Sequence, residues 1–472
     1  MLLHGKKIGI LGMARSGGAA ALKSLSLGAE VFISDNRDVE EVKKTVLKYF
    51  SEREWELLFP FCEFGAHTDL ILNTDLIVVS PGVPKTNTVY QKAFQRGLKV
   101  IGEIEFAYLI KHPRSKIIAV TGSNGKSTTV SLIYHILKDF GFNVVLGGNI
   151  GQSFSSFAIE KDSIDYIVLE LSSFQLEDIH TFKANTAALL NITPDHLDRY
   201  NCIEDYLAPK LRISSNQTSS DILILNGDDN MLNRSKIIGS GKRLFFYKDE
   251  PTEEQSNRCS AYLENDSLII VNNVDNINTK LRINLSNSKL FGQHNRYNIM
   301  AAILAVFNVI SANYSETELV SKLEASINSF TALPHRLELV RTIDGVRFVN
   351  DSKATNTDSV KYALSAFNEG IHLIIGGYDK GEDYSLLSLL IAERVKGLYL
   401  IGATRDKMSK QFSTFDSIME AYDDLESAVK SAYSKAKGNE VVLLAPACAS
   451  FDMFADYEHR GEVFRSIVRG LR

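Results

Sequence analysis

The residues best equipped for chemistry lie in the run Thr121-Gly122-Ser123-Asn124-Gly125-Lys126-Ser127-Thr128. Glycines leave backbone N–H groups open to a phosphate, and a helix beginning there adds partial positive charge. Lys126 would reach the β and γ oxygens, and the Ser127 hydroxyl suits Mg²⁺. The apolar run Lys116–Val120 before the loop reads as a strand. Val130, Ile133, Ile136, Leu137 and Phe140 after it fall at helical spacing, and Gly141 stops the helix. One position departs from the usual phosphate-loop pattern: Val120 stands where the first glycine is expected. An ordinary glycine turn before a helix is the bland alternative. The arrangement predicts binding of a nucleoside triphosphate.

Other chemically equipped groups also follow strand-like runs. Asp165–Leu169 delivers Glu170, where phosphate-loop enzymes keep a metal-binding carboxylate. The strand Ala187–Leu190 precedes Asn191-Ile192-Thr193-Pro194-Asp195-His196-Leu197-Asp198-Arg199-Tyr200, a loop dense in ligand-type groups in which His196 is flanked by two acids and suits a metal or a phosphate. Farther on, Asp351-Ser352-Lys353-Ala354-Thr355-Asn356, Gly376-Gly377-Tyr378-Asp379-Lys380 and Pro446-Ala447-Cys448-Ala449-Ser450-Phe451 occupy the same kind of position. Lys353 there either is solvated or pairs with a substrate acid or a transferring phosphate.

Positioning these loops requires a chain that alternates strands and helices, and three such blocks are legible. Residues 1–112 open with Lys7–Gly12, a loop from Met13 to Gly18, an Ala/Leu-rich helix and the strand Val31–Ser34 ending at Asp35. The glycine spacing does not fit a nicotinamide dinucleotide. A nucleoside diphosphate ligand fits better, with Asp35 taking donors from a base or ribose, although a solvated strand-end Asp remains open. Residues 113–331 carry the phosphate loop and, near 250–290, a small β-excursion around Ser267–Val271. Residues 332–472 alternate again, after a hinge at Ala332-Leu333-Pro334-His335-Arg336. The expected class is α/β: an N-terminal Rossmann-like domain, a central phosphate-loop domain with a parallel sheet, and a C-terminal Rossmann-like domain.

Composition agrees with a globular protein: 472 residues, 44% hydrophobic and 23% charged, with net charge −5. This length predicts two to three domains. The mild acidity gives no support for general nucleic-acid binding. Cys62, Cys202, Cys259 and Cys448 are scattered, so neither a zinc site nor a disulfide framework is expected. With no long apolar run, membrane insertion is not expected, and a cytoplasmic location with a monomeric state is.

Taken together, these motifs resemble the Mur ligases of bacterial cell-wall synthesis, along essentially the whole chain. The resemblance is carried by Gly122–Thr128, Glu170–Gln175, Asp195–Tyr200, His294–Asn298, Asp351–Asn356 and Pro446–Phe451. The phosphate loop alone marks the wider superfamily, which includes folylpolyglutamate synthase. The first block, with the D-S-K-A-T-N and P-A-C-A-S runs, is more specific to the D-glutamate-adding branch. The resemblance implies ATP-dependent addition of D-glutamate to UDP-N-acetylmuramoyl-L-alanine through an acyl phosphate, with two Mg²⁺ ions. Gly122, Ser123, Asn124, Gly125, Lys126, Ser127 and Thr128 would hold the phosphates, and Asn295, Asn298, Arg336 and Asp351 the nucleotide. Ser127, Glu170 and His196 would serve the metals, joined by Lys210 as a CO₂-derived carbamate; a plain salt-bridging Lys210 is the alternative. Lys126, Glu170, His196, Lys210 and Lys353 would be catalytic. Ala14, Arg15, Ser16, Asp35, Asn36 and Arg37 would grip the UDP portion, with Asn149 and Gln175 nearer the muramoyl arm. Thr355, Lys380, Ser450, Phe451 and Tyr457 would hold D-glutamate. Asn36 stands where the family often has Thr, and Tyr457 where it usually has Phe. The rival readings are a Mur-type ligase for another amino acid, a regulatory phosphate-loop NTPase and a UDP-sugar sensor.

Overall fold

The computed structural model describes residues 3–158, 164–194, 199–200, 202–256, 258–274, 277–290, 292–331 and 333–471. It divides into two compact units. One is Met1–Asn284 with Asn298–Ser326, and the other is Leu285–Tyr297 with Ile327–Arg472.

In the first unit, β1 (Lys7–Leu11), β2 (Glu30–Ser34), β3 (Cys62–Glu63), β4 (Leu76–Val79) and β5 (Lys99–Gly102) form a sheet ordered β3-β2-β1-β4-β5. All its pairings are parallel, so buried apolar residues run along both faces. The helix after β1 begins at Arg15, earlier than the glycine-rich composition suggested, and runs to Ser26. Gly17 and Gly18 therefore sit inside a helix rather than in a loop. They are small because of close approach: a Cβ on Gly17 would lie 2.0 Å from the Gly12 carbonyl oxygen, and one on Gly18 2.7 Å from the Phe50 ring. Arg15 and Ser16 consequently open the helix instead of lying in the loop expected over Met13–Gly18.

The larger sheet contains β6 (Lys116–Thr121), β7 (Val144–Gly148), β8 (Tyr166–Glu170), β9 (Thr186–Leu189), β10 (Ile222–Asn226), β11 (Lys242–Tyr247), β12 (Cys259–Glu264), β13 (Ser267–Val274) and β14 (Ile277–Asn284). Its order is β14-β13-β12-β11-β10-β9-β6-β8-β7, parallel from β7 to β12 and antiparallel across the last two pairings. The expected β-excursion is this antiparallel extension, so the sheet is mixed rather than purely parallel. Residues of both sheets share one apolar core, with Ile10 and Ile33 in the same cluster as Ile167 and Leu169. A buried carboxylate fastens the two: Glu105, on the helix Glu103–Ile110, accepts from the amides of His180, Thr181 and Phe182 at 2.8–2.9 Å. Burial alone would raise its pKa, but the Thr181 hydroxyl and these amides outweigh it and hold the carboxyl below its ordinary value.

The second unit is built on β15 (Glu338–Ile343), β16 (Val346–Asn350), β17 (Ile371–Gly376), β18 (Val395–Ile401), β19 (Ile418–Ala421) and β20 (Val441–Leu444). The order β15-β16-β20-β17-β18-β19 is parallel apart from the β15 edge. Apolar clusters cover both faces of this sheet. Its strands end in the three polar loops singled out above, as ligand sites of open parallel sheets require.

Candidate active site

At the C-terminal end of β6 the chain turns through Gly122–Gly125 into the helix Lys126–Asp139. Gly125 has φ +83°, and a Cβ there would lie 2.2 Å from the Asn298 side-chain oxygen, so only glycine fits. Val120 replaces the first glycine without penalty because β6 continues through it, paired with Glu170 on one side and Ala188 on the other. Lys126 folds back over the loop, its Nζ donating to the Gly122 and Ser123 carbonyls, each at 2.7 Å. From β8, Glu170 meets this helix start: Ser127 Oγ donates to its Oε2 at 2.5 Å, and Asn149 Nδ2 to its Oε1 at 2.8 Å. A buried carboxylate beside a hydroxyl at a helix N-terminus is an all-oxygen set suited to a hard divalent cation.

Lys210, on the helix Ile203–Leu211, is 1% exposed. Its Nζ donates to the Gly122 carbonyl at 2.8 Å and lies 4.4 Å from the centre of the Tyr206 ring. It therefore shares one carbonyl acceptor with Lys126. Asp195, His196, Leu197 and Asp198 lie outside the described residues. Among the described residues, no three His, Cys, Asp or Glu side chains gather into a metal cluster.

The segment before those residues braces the loop, a role that ligand-type composition alone did not reveal. Ser123 N donates to the Asn191 carbonyl at 3.0 Å and Asn124 N to the Asn191 side chain at 2.8 Å. Ser123 and Thr193 bond each other in both directions at 3.0 Å. Asn298, on the helix Gln293–Ile310, accepts from Thr129 Oγ1 at 3.3 Å, which brings it beside Gly125.

On the first sheet, Asp35 is buried and takes four donors from its own chain. Met13 N lies at 2.7 Å, and Arg37 contributes its amide, Nε and Nη2 at 2.8–3.0 Å. Burial would raise the Asp35 pKa, but Arg37 and the amides overcome this and lower it. The carboxylate thus shapes the Gly12–Ala14 loop, with Arg37 Nη2 also donating to the Met13 carbonyl at 3.0 Å. Asn36 is exposed beside it. Gln175 is engaged locally, in a capping box with Ser172 at the helix Ser173–Leu176.

In the second unit, Asp351–Lys353 follows β16 and Pro446–Phe451 follows β20. A residue that no sequence motif flagged joins them: Arg460, on the helix Tyr457–Gly470, is 1% exposed. Its guanidinium donates to the Ser352 hydroxyl and carbonyl at 3.0 and 2.9 Å, to the Cys448 carbonyl at 3.2 Å and to the Ala449 carbonyl at 3.3 Å. Burial lowers its pKa to about 10, so it stays charged at neutral pH. Lys353 Nζ sits 3.7 Å over the Tyr457 ring, a cation–π contact. Asp351 accepts from Leu337 N at 3.2 Å, and burial pushes its carboxyl up to about 7 against the pull of that amide and Arg336. Ser450 is buried, whereas Lys380 and Phe451 are exposed. Thr355 N closes a turn onto the Lys353 carbonyl at 2.8 Å. Asn295 is buried on the same helix as Asn298.

A phosphate loop at the C-terminal edge of a largely parallel sheet, with a carboxylate on the neighbouring strand, defines a nucleotide-binding α/β protein. Family descriptions match in three places: MurD N-terminal domain over residues 7–89, Mur ligase middle domain over 120–306, and Mur ligase, glutamate ligase domain over 335–448. The UDP-N-acetylmuramoylalanine--D-glutamate ligase of Cytophaga hutchinsonii is 41% identical, covering 98% of each chain. The solved UDP-N-acetylmuramate-alanine ligase MurC of Thermotoga maritima shares the fold with TM-score 0.58 at 19% identity, covering 98% of this chain and 99% of its own. MurF ligase of Thermotoga maritima, solved in complex with ADP, does so with TM-score 0.54 at 17% identity over 84% and 89%. The chain belongs to the Mur ligase family. Among the described residues, no helix is long and apolar enough to cross a membrane.

Proposed function

We propose that this chain is an ATP-dependent ligase that joins D-glutamate to UDP-N-acetylmuramoyl-L-alanine, releasing ADP and phosphate, in the supply of peptidoglycan precursor. The carrying observation is the convergence of Lys126, Ser127, Glu170 and Asn149 at one edge of the central sheet. The 41% identity to a ligase of that name, across nearly the whole length of both chains, supports the choice of substrates. We take residues 1–112, 113–331 and 332–472 as the UDP-binding, ATP-binding and amino-acid-binding domains of a cytoplasmic monomer.

The acceptor carboxylate attacks the γ-phosphorus of ATP, forming an acyl phosphate and releasing ADP. The D-glutamate amine, having lost a proton, then attacks the acyl carbon, and phosphate leaves as the amide forms. Lys126 offsets charge on the transferring phosphoryl oxygens, and the start of its helix turns amides toward them. The oxygen donors Ser127 and Glu170 would hold Mg²⁺, and His196 and a carbamate on Lys210 would serve the same pair of ions. When bound, Mg²⁺ supplies charge neutralisation and Lewis acidity at the phosphoryl oxygens. A carbamate fits the surroundings of Lys210, because it would replace one of two ammonium groups that converge on the Gly122 carbonyl with an anion. Asn295, Asn298, Arg336 and Asp351 line the nucleotide. Thr355, Lys380, Ser450, Phe451 and Tyr457 serve the amino acid, and Lys353 serves catalysis.

The test is phosphate release from Mg·ATP with UDP-N-acetylmuramoyl-L-alanine, offering D-Glu, L-Glu, L-Ala, meso-diaminopimelate and D-Ala-D-Ala separately. Release with D-Glu alone, and a product heavier by one glutamyl residue, is expected. Release with another acceptor would move the enzyme to another step, and amino-acid-independent hydrolysis would make it an NTPase.

A further inference from the structure

Arg15 stands on the loop side of the first sheet, yet its guanidinium is turned toward the second. Nη1 donates to the Gly151 carbonyl at 3.0 Å, and Nη2 donates to the carbonyls of Gly148 and Asn149 at 3.0 and 3.1 Å. The Tyr49 ring centre lies 5.9 Å from the same guanidinium. Three carbonyls of one four-residue turn thus converge on a single planar fork, a geometry that Lys cannot reproduce. The turn is also tightly shaped from within, with Gly148 N donating to the Gln152 carbonyl at 2.9 Å. Gly148 and Gly151 have φ +97° and +61°, and a Cβ on Gly148 would lie 2.3 Å from the Glu170 carbonyl oxygen.

What the clamp holds is Asn149. Its backbone N donates to the Glu170 carbonyl at 2.8 Å, and its side chain donates to Glu170 Oε1 at 2.8 Å, leaving Oε2 for Ser127. At its other end, Arg15 begins the helix that follows the Gly12–Ala14 loop, which Asp35 and Arg37 fix through Met13. A chain of contacts therefore runs from the first-sheet loop along the backbone to Arg15, and from its guanidinium by hydrogen bonds through the Gly148–Gly151 turn and Asn149 to Glu170 and Ser127.

We infer that Arg15 is a positioning residue for the metal-holding carboxylate: it sets the Gly148–Gly151 turn so that Asn149 aims Glu170, and it ties the loop proposed for the UDP moiety to metal binding. This rests on the reading of Ser127 and Glu170 as metal-holding groups, and it assigns Arg15 a role beyond substrate contact. Partners that orient a metal ligand typically change metal affinity by about 10–100-fold when removed.

The experiment measures Mn²⁺ binding to the full chain with saturating ADP, by electron paramagnetic resonance of free Mn²⁺, with no acceptor present. Arg15→Gln is expected to weaken Mn²⁺ by about tenfold or more, and Arg15→Lys to recover only part of the loss. ADP affinity in the presence of EDTA should be unchanged in both variants. Adding UDP-N-acetylmuramoyl-L-alanine should tighten Mn²⁺ binding in the wild type and not in Arg15→Gln. Mn²⁺ affinity equal to wild type in both variants would overturn the inference, as would an equal loss of metal-free ADP binding, which marks general loosening. If Arg15→Gln unfolds, the Arg15→Lys titration decides alone. The first titration does not involve the acceptor. Failure of the ligase assay alongside weakened Mn²⁺ binding would therefore remove the functional reading and leave this one standing.

Discussion

The phosphate-loop edge of the central sheet and the loop cluster of the second unit are built on opposite plans. At the first, the chemically equipped side chains bond directly to one another or to the loop they serve: Lys126 to its own carbonyls, Ser127 and Asn149 to Glu170. At the second, the backbone is pinned by Arg460 from behind, while Lys380 and Phe451 remain exposed. A site that handles phosphoryl charge needs its donors preorganised, because electrostatic stabilisation is strongest when no group must move. A site for a small amino acid can instead keep a rigid backbone and leave side chains to close on the ligand.

This contrast breaks most sharply at Lys126. Replacement by Ala should lower phosphate release by about 10²–10³-fold or more, as removal of a preorganised charge donor does, with melting temperature little changed. A steady-state assay beside a thermal melt checks both. Near-normal turnover would strip the phosphate loop of its assigned role.

Next in size is Arg460→Met, whose effect should fall on stability first. Losing the guanidinium leaves the buried carbonyls of Ser352 and Cys448 short of donors, while the Ala449 carbonyl keeps the Tyr378 amide, at a cost of roughly 1–3 kcal/mol for each group left unsatisfied. Urea denaturation followed at two wavelengths would register it. An unchanged midpoint would mean that the two loops hold themselves.

Lys380→Ala tests the exposed side. It should raise the KM for D-glutamate by about tenfold, the size of one lost charge-assisted contact, while kcat stays near wild type. An equal fall in kcat would place Lys380 with the preorganised groups instead.

A pH dependence tests Asp351. Burial raises its folded pKa to about 7, well above the ordinary aspartate value of 3.8. The folded state therefore holds more protons than the unfolded one between those values, and stability falls as pH rises through that window. Asp351→Asn should flatten the decline in melting temperature between about pH 4 and 7. A wild-type melt already flat over this range would contradict the burial that raises the pKa.

The sequence showed more of the first region than of the second for a physical reason. A phosphate loop is local: Gly122, Gly125, Lys126 and Ser127 are neighbours in the chain, and their spacing is dictated by one turn entering one helix. Glu170 was legible because a strand ending in an acid is also a local pattern. Glycine-rich composition misled at Gly17 and Gly18, where tight packing against Gly12 and Phe50, not a turn, requires the small residue.

By itself, then, the sequence determined the alternating α/β class, the nucleotide loop, the strand-end positions of the polar loops and the family resemblance. All of these follow from local spacing and side-chain chemistry. Only the tertiary structure decided that Asp35 spends its carboxylate on Met13 and Arg37, and that Asn191 and Thr193 brace the phosphate loop. Arg15 lies 133 to 136 positions from the carbonyls it clamps, and Arg460 reaches 108 positions back to Ser352. Contacts at such separations are set by how sheets stack and helices return, which no short run of residues encodes.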